Sequence, residues 1–306
     1  MNADSDRLRS ISPILGVRSR ILRSIREFFH QRGFVEVETP VRLKTPALEL
    51  HIDAEPAGDG FLRTSPEFHM KRLLASGETR LFQLGPCFRR NERGDRHHPE
   101  YTMLEWYRAD ADSNDILVDA KALVATVAQD VLGRTALVYQ GTPIELSPVW
   151  ERITVSEAFR QFAGWDPTAR YDADRFDLDL VEKVEPGLPR NVPVVLADYP
   201  FEAAALARRR ESDPRVADRW ELYIGGLELA NAYSELTDPA EQRARFGAWA
   251  AQRRALGKEV YPLDEEFLAA LDSGLPPCAG IALGVDRLVM LLTDSPTLDR
   301  VMAFRE

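Results

Sequence analysis

The sequence predicts an α+β protein, in which helices share one chain with antiparallel hairpins. Two apolar, aromatic-rich runs, 81–88 and 101–107, flank a polar segment and indicate a hairpin with a charged tip. Gly225 and Gly226 lie between two further apolar runs and indicate a second hairpin with a two-residue turn. Apolar side chains at the helical period mark two long segments, residues 14–32 and 114–132.

Composition limits the kind of protein. With 306 residues, of which 44% are hydrophobic, the chain can bury a sizeable core in one large or two small domains. A net charge of −10 counts against a broad electrostatic contact with a nucleic-acid backbone. The two cysteines, Cys87 and Cys278, form no spacing motif, which indicates a reducing compartment without a disulfide framework or zinc site.

No targeting or membrane segment is recognisable. The first ten residues lack an apolar region, and no run of about eighteen apolar residues occurs. We therefore expect a soluble cytoplasmic protein with no membrane partner.

The amino-terminal elements follow in order. A helix over 14–32 is stopped by Gly33, and the alternating segment 34–40 predicts a strand that ends at a proline. Ser65-Pro66-Glu67 begins another helix, which is ordinary capping chemistry with an acid in the first turn.

The remaining segments carry weaker patterns. We expect a surface insertion around 135–191, whose most polar, proline-bearing part is 166–191. The other predictions are strands and a short helix in 136–146 and 152–164, a buried strand at 192–196, a polar turn at 210–218, and helices at 239–256 and 264–272.

The second hairpin predicts a metal site. Counting from its turn, Tyr223 is opposite Glu228 and Glu221 is opposite Ala230, so the two glutamates are diagonal neighbours on one sheet face. Adjacent carboxylates need a compensating cation, and Mg²⁺ prefers such oxygens. The alternative is that both side chains point to solvent. Glu235 has the opposite strand parity, so only a bulge or bend would bring it to the same face.

Residues 278–288 form the last pattern. Small residues alternate with apolar ones along a predicted strand, which allows another group to approach one face closely. Asp286 is then expected to cap the helix that follows.

These segments resemble known motifs. Phe88-Arg89, His97 and the run 99–105 are similar to motif 2 of the class II aminoacyl-tRNA synthetases, in their lysine branch. The closer resemblance is to the free-standing catalytic-core paralogues of that branch, which ligate a lysine to elongation factor P. Segment 34–40 with the preceding helix resembles motif 1, which implies a homodimer interface, and 278–288 resembles motif 3. The implied fold is a single class II catalytic core over 1–306, a mostly antiparallel sheet flanked by helices, without an anticodon-binding domain.

The resemblance also implies roles for individual residues. Arg89 and Arg287 are the expected catalytic residues, and Glu221 and Glu228 are the expected ligands of Mg²⁺. Expected ATP contacts are Arg89, Arg90, Asn91, Glu92, His97, His98, Tyr101, Glu228, Leu229, Gly284 and Arg287. Expected contacts of the amino acid are Ser65, Pro66, Glu67, Tyr107, Glu235 and Ala282.

The implied chemistry is ATP-dependent activation of (R)-β-lysine and its transfer to a lysine of elongation factor P. Ala282 replaces the glycine usual in lysine synthetases, and two further departures are Glu92, shifted by one position, and His98, where asparagine is common. One alternative is a truncated lysine synthetase that charges tRNA, which we rank lower because about a dozen residues precede motif 1. The other is a non-catalytic regulator, which the retained motif residues disfavour.

Overall fold

The computed structural model describes residues 3–305. Its strands are β1 Val35–Glu36, β2 Arg42–Leu43, β3 Pro56–Ala57, β4 Gly60–Leu62, β5 Arg80–Phe88, β6 Glu100–Ala109, β7 Ala136–Tyr139, β8 Thr142–Glu145, β9 Glu151–Thr154, β10 Val194–Ala197, β11 Arg209–Arg210, β12 Asp213–Ala217, β13 Arg219–Ile224, β14 Leu227–Ser234 and β15 Cys278–Gly284. Its α-helices are α1 Ala3–Gln31, α2 Glu67–Ala75, α3 Ser113–Leu132, α4 Val155–Phe162, α5 Ala173–Asp179, α6 Glu185–Gly187, α7 Pro239–Ala255, α8 Glu265–Asp272 and α9 Val285–Leu292.

One eight-stranded sheet organises the chain. Its order is β1-β5-β6-β15-β14-β13-β10-β9, and only the two outermost pairs, β1 with β5 and β9 with β10, are parallel. The predicted hairpins are the β5–β6 and β13–β14 pairs. The α+β fold with a mostly antiparallel sheet is therefore confirmed.

The two faces of the sheet have different cover. On one face α1, α3 and α9 bury a continuous apolar core that includes Phe29, Trp106 and Ile281. On the other face α2, α7 and α8 form a second apolar cluster, which includes Tyr107. Trp106 and Tyr107 are neighbours in β6, so the side-chain alternation of a strand separates the two cores. This leaves part of the second face open beside the second cluster.

Two amino-terminal predictions need correction. The first helix begins at Ala3, not near residue 14, and it contains Pro13. A proline removes one helical hydrogen bond, whereas the fully buried Ile11 on the extra turns adds packing on the core. The predicted strand 34–40 pairs only over Val35–Glu36, and the Thr39 backbone N–H then donates to the Gln83 side chain at 2.8 Å.

Two later segments also differ from expectation. The predicted polar turn at 210–218 contains the small β11–β12 hairpin. The segment 166–191 forms α5, a π-helical turn over Leu180–Val184, and α6. Its Phe176 packs in a core with Phe159 and also lines the cavity described below. The segment that we expected to be a surface insertion therefore contributes to a core and to the lining of the cavity.

The β13–β14 hairpin contains the bulge that the sequence left open. Gly225 and Gly226 have φ values of 63° and 79°, as a type I′ turn requires, and Tyr223 pairs with Glu228 as predicted. The register then shifts, so Glu221 pairs with Asn231, and the predicted pairing of Glu221 with Ala230 is wrong. The extra residue is Leu229, because Leu222 pairs with Ala230.

Two further sequence features have structural outcomes. Cys87 and Cys278 are both free and buried. Across residues 3–305, every helix is too short or too polar to cross a lipid bilayer.

Candidate active site

A cavity of about 950 Å³ opens on the face of the sheet opposite α1 and α3. All but two of the predicted site residues line it. Pro66 is buried behind the cavity wall, and the Arg90 side chain is exposed outside it. The lining set is Ser65, Glu67, Arg89, Asn91, Glu92, His97, His98, Tyr101, Tyr107, Glu221, Glu228, Leu229, Glu235, Ala282, Gly284 and Arg287.

The β14 bulge places Glu235 in this cavity. Before the bulge the even-numbered Glu228 faces the cavity, and after it the odd-numbered Asn231 and Tyr233 do so, followed by Glu235. The intervening Ala230 and Ala232 pack in the core on the opposite face. The one inserted residue thus changes whether the even-numbered or the odd-numbered side chains of β14 face the cavity.

Arg287, in motif 3, connects motif 2 and β14 at one end of the cavity. Its Nη1 donates to the backbone oxygen of Glu228 at 2.7 Å, and its Nη2 lies 2.7 Å from His97 Nε2. Burial and the adjacent Arg287 guanidinium lower the pKa of His97, so its neutral ring can accept this hydrogen bond. This end of the cavity therefore carries one fixed guanidinium beside a neutral imidazole.

Arg89 lies in the middle of the cavity. Its guanidinium carbon is 5.3 Å from the centre of the Tyr101 ring, and its Nη1 is 3.7 Å from Glu92 Oε1. Glu92, although shifted along the sequence, thus pairs with the arginine of motif 2. Within residues 3–305 the buried Nε of Arg89 has no hydrogen-bond partner.

A buried ammonium that sequence reasoning missed lies directly behind two acids of the cavity floor. Lys71 Nζ is 2.5 Å from Glu67 Oε1 and 2.6 Å from Glu235 Oε2, and its side chain is 1% exposed. Burial alone would lower the pKa of Lys71, but the Glu235 and Glu67 carboxylates outweigh burial and raise it. Lys71 therefore remains charged.

Glu105 is a third acid in the floor and was also missed. The Ser65 hydroxyl donates to its Oε1 at 2.7 Å, and the Tyr107 hydroxyl donates to its Oε2 at 2.9 Å. Burial, reinforced by Glu67, raises the pKa of Glu105 from 4.5 to about 8. The alternation of side chains along β6 could have indicated Glu105, because Tyr101, Glu105 and Tyr107 point to the same face of the strand.

The small residues of β15 make room for this floor. A Cβ atom at Gly280 would lie 2.1 Å from the Tyr107 ring and 2.8 Å from Glu235 Oε1, so only glycine fits. Ala282 faces the same cavity two residues later and pairs with Glu105 across the sheet. The predicted close approach at one face of this strand is thus located at Gly280.

Glu221 and Glu228 share a sheet face, but their surroundings differ. Glu221 accepts hydrogen bonds from Tyr199 at 2.5 Å and Tyr223 at 2.7 Å, and it pairs with Arg219 at 2.5 Å. Within residues 3–305 the Glu228 carboxylate contacts one guanidinium, that of Arg287 at 3.4 Å, and the Glu228 side chain is 40% exposed. Arg219 therefore supplies the compensating cation for Glu221.

The remaining negative charge lies around Glu228. Although the Glu228 side chain is partly exposed, its loss of hydration inside the cavity, and then Glu221, raise its pKa, while burial followed by Glu228 and Glu221 raises the pKa of Glu185 to about 7. Residues 3–305 contain no group of three or more acidic, histidine or cysteine side chains placed to enclose a metal ion. The donor set fits a cation that takes Glu228 directly and obtains most of its other oxygens from a bound polyphosphate.

Comparison with known proteins decides the family. The sequence profile described as tRNA synthetases class II (D, K and N) matches residues 3–306, nearly the whole chain. The chain belongs to this family. Its class II tRNA synthetase fold agrees with the sheet order and motif positions described above.

Similar proteins carry two different names. A lysine–tRNA ligase of Moorella thermoacetica is 39% identical over 96% of this chain, and one of Trichormus variabilis is 38% identical over 94%. The chain spans 65% and 56% of the length of those two proteins. An elongation factor P–(R)-β-lysine ligase of Vibrio cholerae is 40% identical over 99% of this chain and 98% of its own length.

Asp286 does not have the predicted capping role. Gly284 is the N-cap of α9, without a side-chain cap. The Asp286 carboxylate instead accepts from the Thr102 backbone N–H at 2.8 Å and pairs with Arg18 at 2.6 Å. It thereby joins motif 3 to β6 and α1, which a local pattern does not reveal.

Proposed function

We propose that this protein activates (R)-β-lysine with ATP, as an aminoacyl adenylate, and transfers it to a lysine of elongation factor P. One observation carries the proposal. Among residues 3–305, three carboxylates line the cavity floor, Glu67, Glu105 and Glu235, and one buried ammonium, Lys71, lies directly behind Glu67 and Glu235. When all are ionised, the excess of two negative charges matches a substrate with two ammonium groups.

The substrate carboxylate then points to the middle of the cavity, where Arg89 is placed to bridge it and the α-phosphate. A carboxylate oxygen attacks the α-phosphorus, the bond to the bridging oxygen breaks, and pyrophosphate leaves. The chain's contribution is position and charge, since no protein nucleophile is required. His97 and Arg287 are placed for the β- and γ-phosphates, and Tyr101 for the adenine.

We assign a Mg²⁺ site to Glu228 and Glu221, in which the ion would neutralise charge on the phosphates. Glu228 is the more available ligand, because Glu221 must exchange one of its present partners. In the second reaction the acceptor amine loses a proton, its nitrogen attacks the adenylate carbonyl, and AMP leaves. We also propose a homodimer formed through α1 and β1, where Val35 is 50% exposed.

Two features support a β-amino acid and a protein acceptor. The Ala282 methyl narrows the floor of the cavity, and a β-amine can lie beside Glu67 without contacting that methyl. The net charge of −10 disfavours a large nucleic-acid footprint. Charging of tRNA with lysine is the second candidate, because lysine–tRNA ligases are nearly as similar to this chain.

Pyrophosphate exchange with α-lysine, (R)-β-lysine and (S)-β-lysine tests the activation step. Exchange is expected to be fastest with (R)-β-lysine and to require Mg²⁺. Elongation factor P and lysine tRNA are then supplied as separate acceptors and analysed by mass spectrometry and acid precipitation. Addition of one residue's mass to a single lysine of the factor supports the proposal, whereas efficient tRNA charging without that addition reverses it.

A further inference from the structure

Lys71 holds two substrate-facing carboxylates together. Glu67 belongs to the first turn of α2, whereas Glu235 follows β14, yet oxygens of both lie 2.5 Å and 2.6 Å from the same nitrogen. Those two oxygens are therefore at most the sum of these distances apart, about 5.1 Å. The second oxygen of each carboxylate is not part of this bridge.

A purely structural role does not explain an ammonium at this position. At 1% exposure Lys71 has lost its hydration, which is unfavourable for a charged group unless it is fully paired. A methionine would fill the same space without that cost. The charge is thus explained by its two acidic partners, which would repel each other without it.

Each carboxylate keeps one oxygen for a ligand. Glu235 Oε1 lies beside Tyr107 next to the Gly280 gap, and within residues 3–305 it has no hydrogen-bond partner. Glu67 lines the cavity nearer Ser65. A diamino acid that contacts both acids must therefore match a span that Lys71 sets.

We propose that Lys71 is a positioning residue that selects substrates by the number of carbon atoms between their two ammonium groups. The inference rests on the proposed function, because it requires a diamino acid as substrate. Lys71 acts through Glu67 and Glu235 and does not itself contact the reacting atoms. The two ammonium groups of β-lysine are one carbon closer than those of α-lysine, so the span also contributes to that choice.

The test compares Lys71→Met with a matched control, Arg72→Met. Arg72 is the next residue of the same helix, but its partner is the surface acid Glu266, at 2.7 Å. Pyrophosphate exchange is measured with 2,4-diaminobutyrate, ornithine and α-lysine, whose amines are linked by chains of three, four and five carbon atoms, and with β-lysine, which shares the four-carbon spacing of ornithine. The KM and kcat are obtained for each substrate.

For Lys71→Met we expect the preference for the best spacing to fall by roughly tenfold or more, which is the discrimination available from one fitted contact. The change should appear in relative KM values, with kcat for the best substrate altered less, and Arg72→Met should keep the parent ratios. If Lys71→Met changes the KM of every substrate by the same factor, the inference is overturned while the proposed function remains intact. No exchange by the parent protein with any diamino acid would overturn both.

A second measurement needs no variant and covers the case in which Lys71→Met does not fold. Unsubstituted diamines, from propane-1,3-diamine to hexane-1,6-diamine, are tested as inhibitors of exchange by the parent protein. An optimum at one chain length supports a fixed span. Inhibition that rises steadily with chain length, or does not depend on it, overturns the inference of a fixed distance between the two carboxylates.

Discussion

Replacement of Glu105 by glutamine should stabilise the unliganded protein, and increasingly so at higher pH. The Glu105 carboxyl is buried and has a pKa of about 8, against 4.5 in an exposed chain. Between these values the folded state binds more protons than the unfolded state, so its stability falls as pH rises. Glutamine resembles the protonated acid in shape and carries no charge, so it removes this term.

The magnitude follows from the two pKa values. At about 1.4 kcal/mol for each pH unit, the raised pKa of Glu105 costs the fold about 2 kcal/mol by pH 6 and about 4 kcal/mol by pH 8. An unfolding entropy of about 2.1 cal/mol/K per residue converts these into Tm differences of about 3 °C and about 6 °C for this chain. Near pH 4.5 the difference should vanish.

Thermal unfolding of parent and variant between pH 4.5 and 8.5, without substrates, measures this difference. Glu100→Gln is a suitable control, because Glu100 lies in the same strand but is exposed. Its Tm difference from the parent should be small and independent of pH. A Glu105→Gln difference that stays constant across this range, or a variant less stable than the parent at pH 8, would refute the reasoning.

Four further substitutions test the site. Arg89→Ala should slow adenylate formation by about a hundredfold or more, as for loss of one positioned transition-state donor; activity within a few-fold of the parent would contradict its role. Glu235→Gln should weaken binding of the amino acid by about 3 kcal/mol, because a buried ammonium loses its carboxylate, and an unchanged KM would remove Glu235 from the binding site. Ala282→Gly should raise activation of α-lysine more than that of β-lysine, and an unchanged ratio in pyrophosphate exchange would place selectivity elsewhere. Gly280→Ala should raise the KM for the amino acid and not that for ATP, since its methyl would lie 2.1 Å from the facing tyrosine ring; Gly284→Ala, where the nearest atom is 3.9 Å away, is the control, and equal effects of the two on the amino acid would contradict the steric argument.

Patterns that depend on neighbouring residues were predictable. The Gly225-Gly226 turn fixes the first pairs of its hairpin, because a two-residue turn determines which residues are opposite. The charged tip between β5 and β6 was recognisable because apolar runs end where the polar residues begin. Glu221 and Glu228 were therefore placed on one face correctly.

Features set by distant contacts were not predictable. The bulge at Leu229 adds a residue without any local signal, although Glu235 reaches the cavity only because of it. Aspartate is a residue type favoured at helix caps, but contacts with Arg18 and Thr102 determine the orientation of the Asp286 side chain. Lys71 looked like an ordinary helical lysine, because its second acid lies 164 positions further along the chain.

The same buried charges connect stability with recognition in this fold. Burial raises the pKa of Glu235, like that of Glu105, to about 8. The ionised form of both side chains is therefore unfavourable in the empty cavity at neutral pH. A ligand with two ammonium groups supplies the missing cations, which lowers both pKa values and releases protons to solvent. A ligand with one ammonium group can compensate only part of this charge. Discrimination between mono- and diamino acids thus arises from carboxylates that the fold holds against its own stability, and Lys71 limits how far two of them, Glu67 and Glu235, can separate.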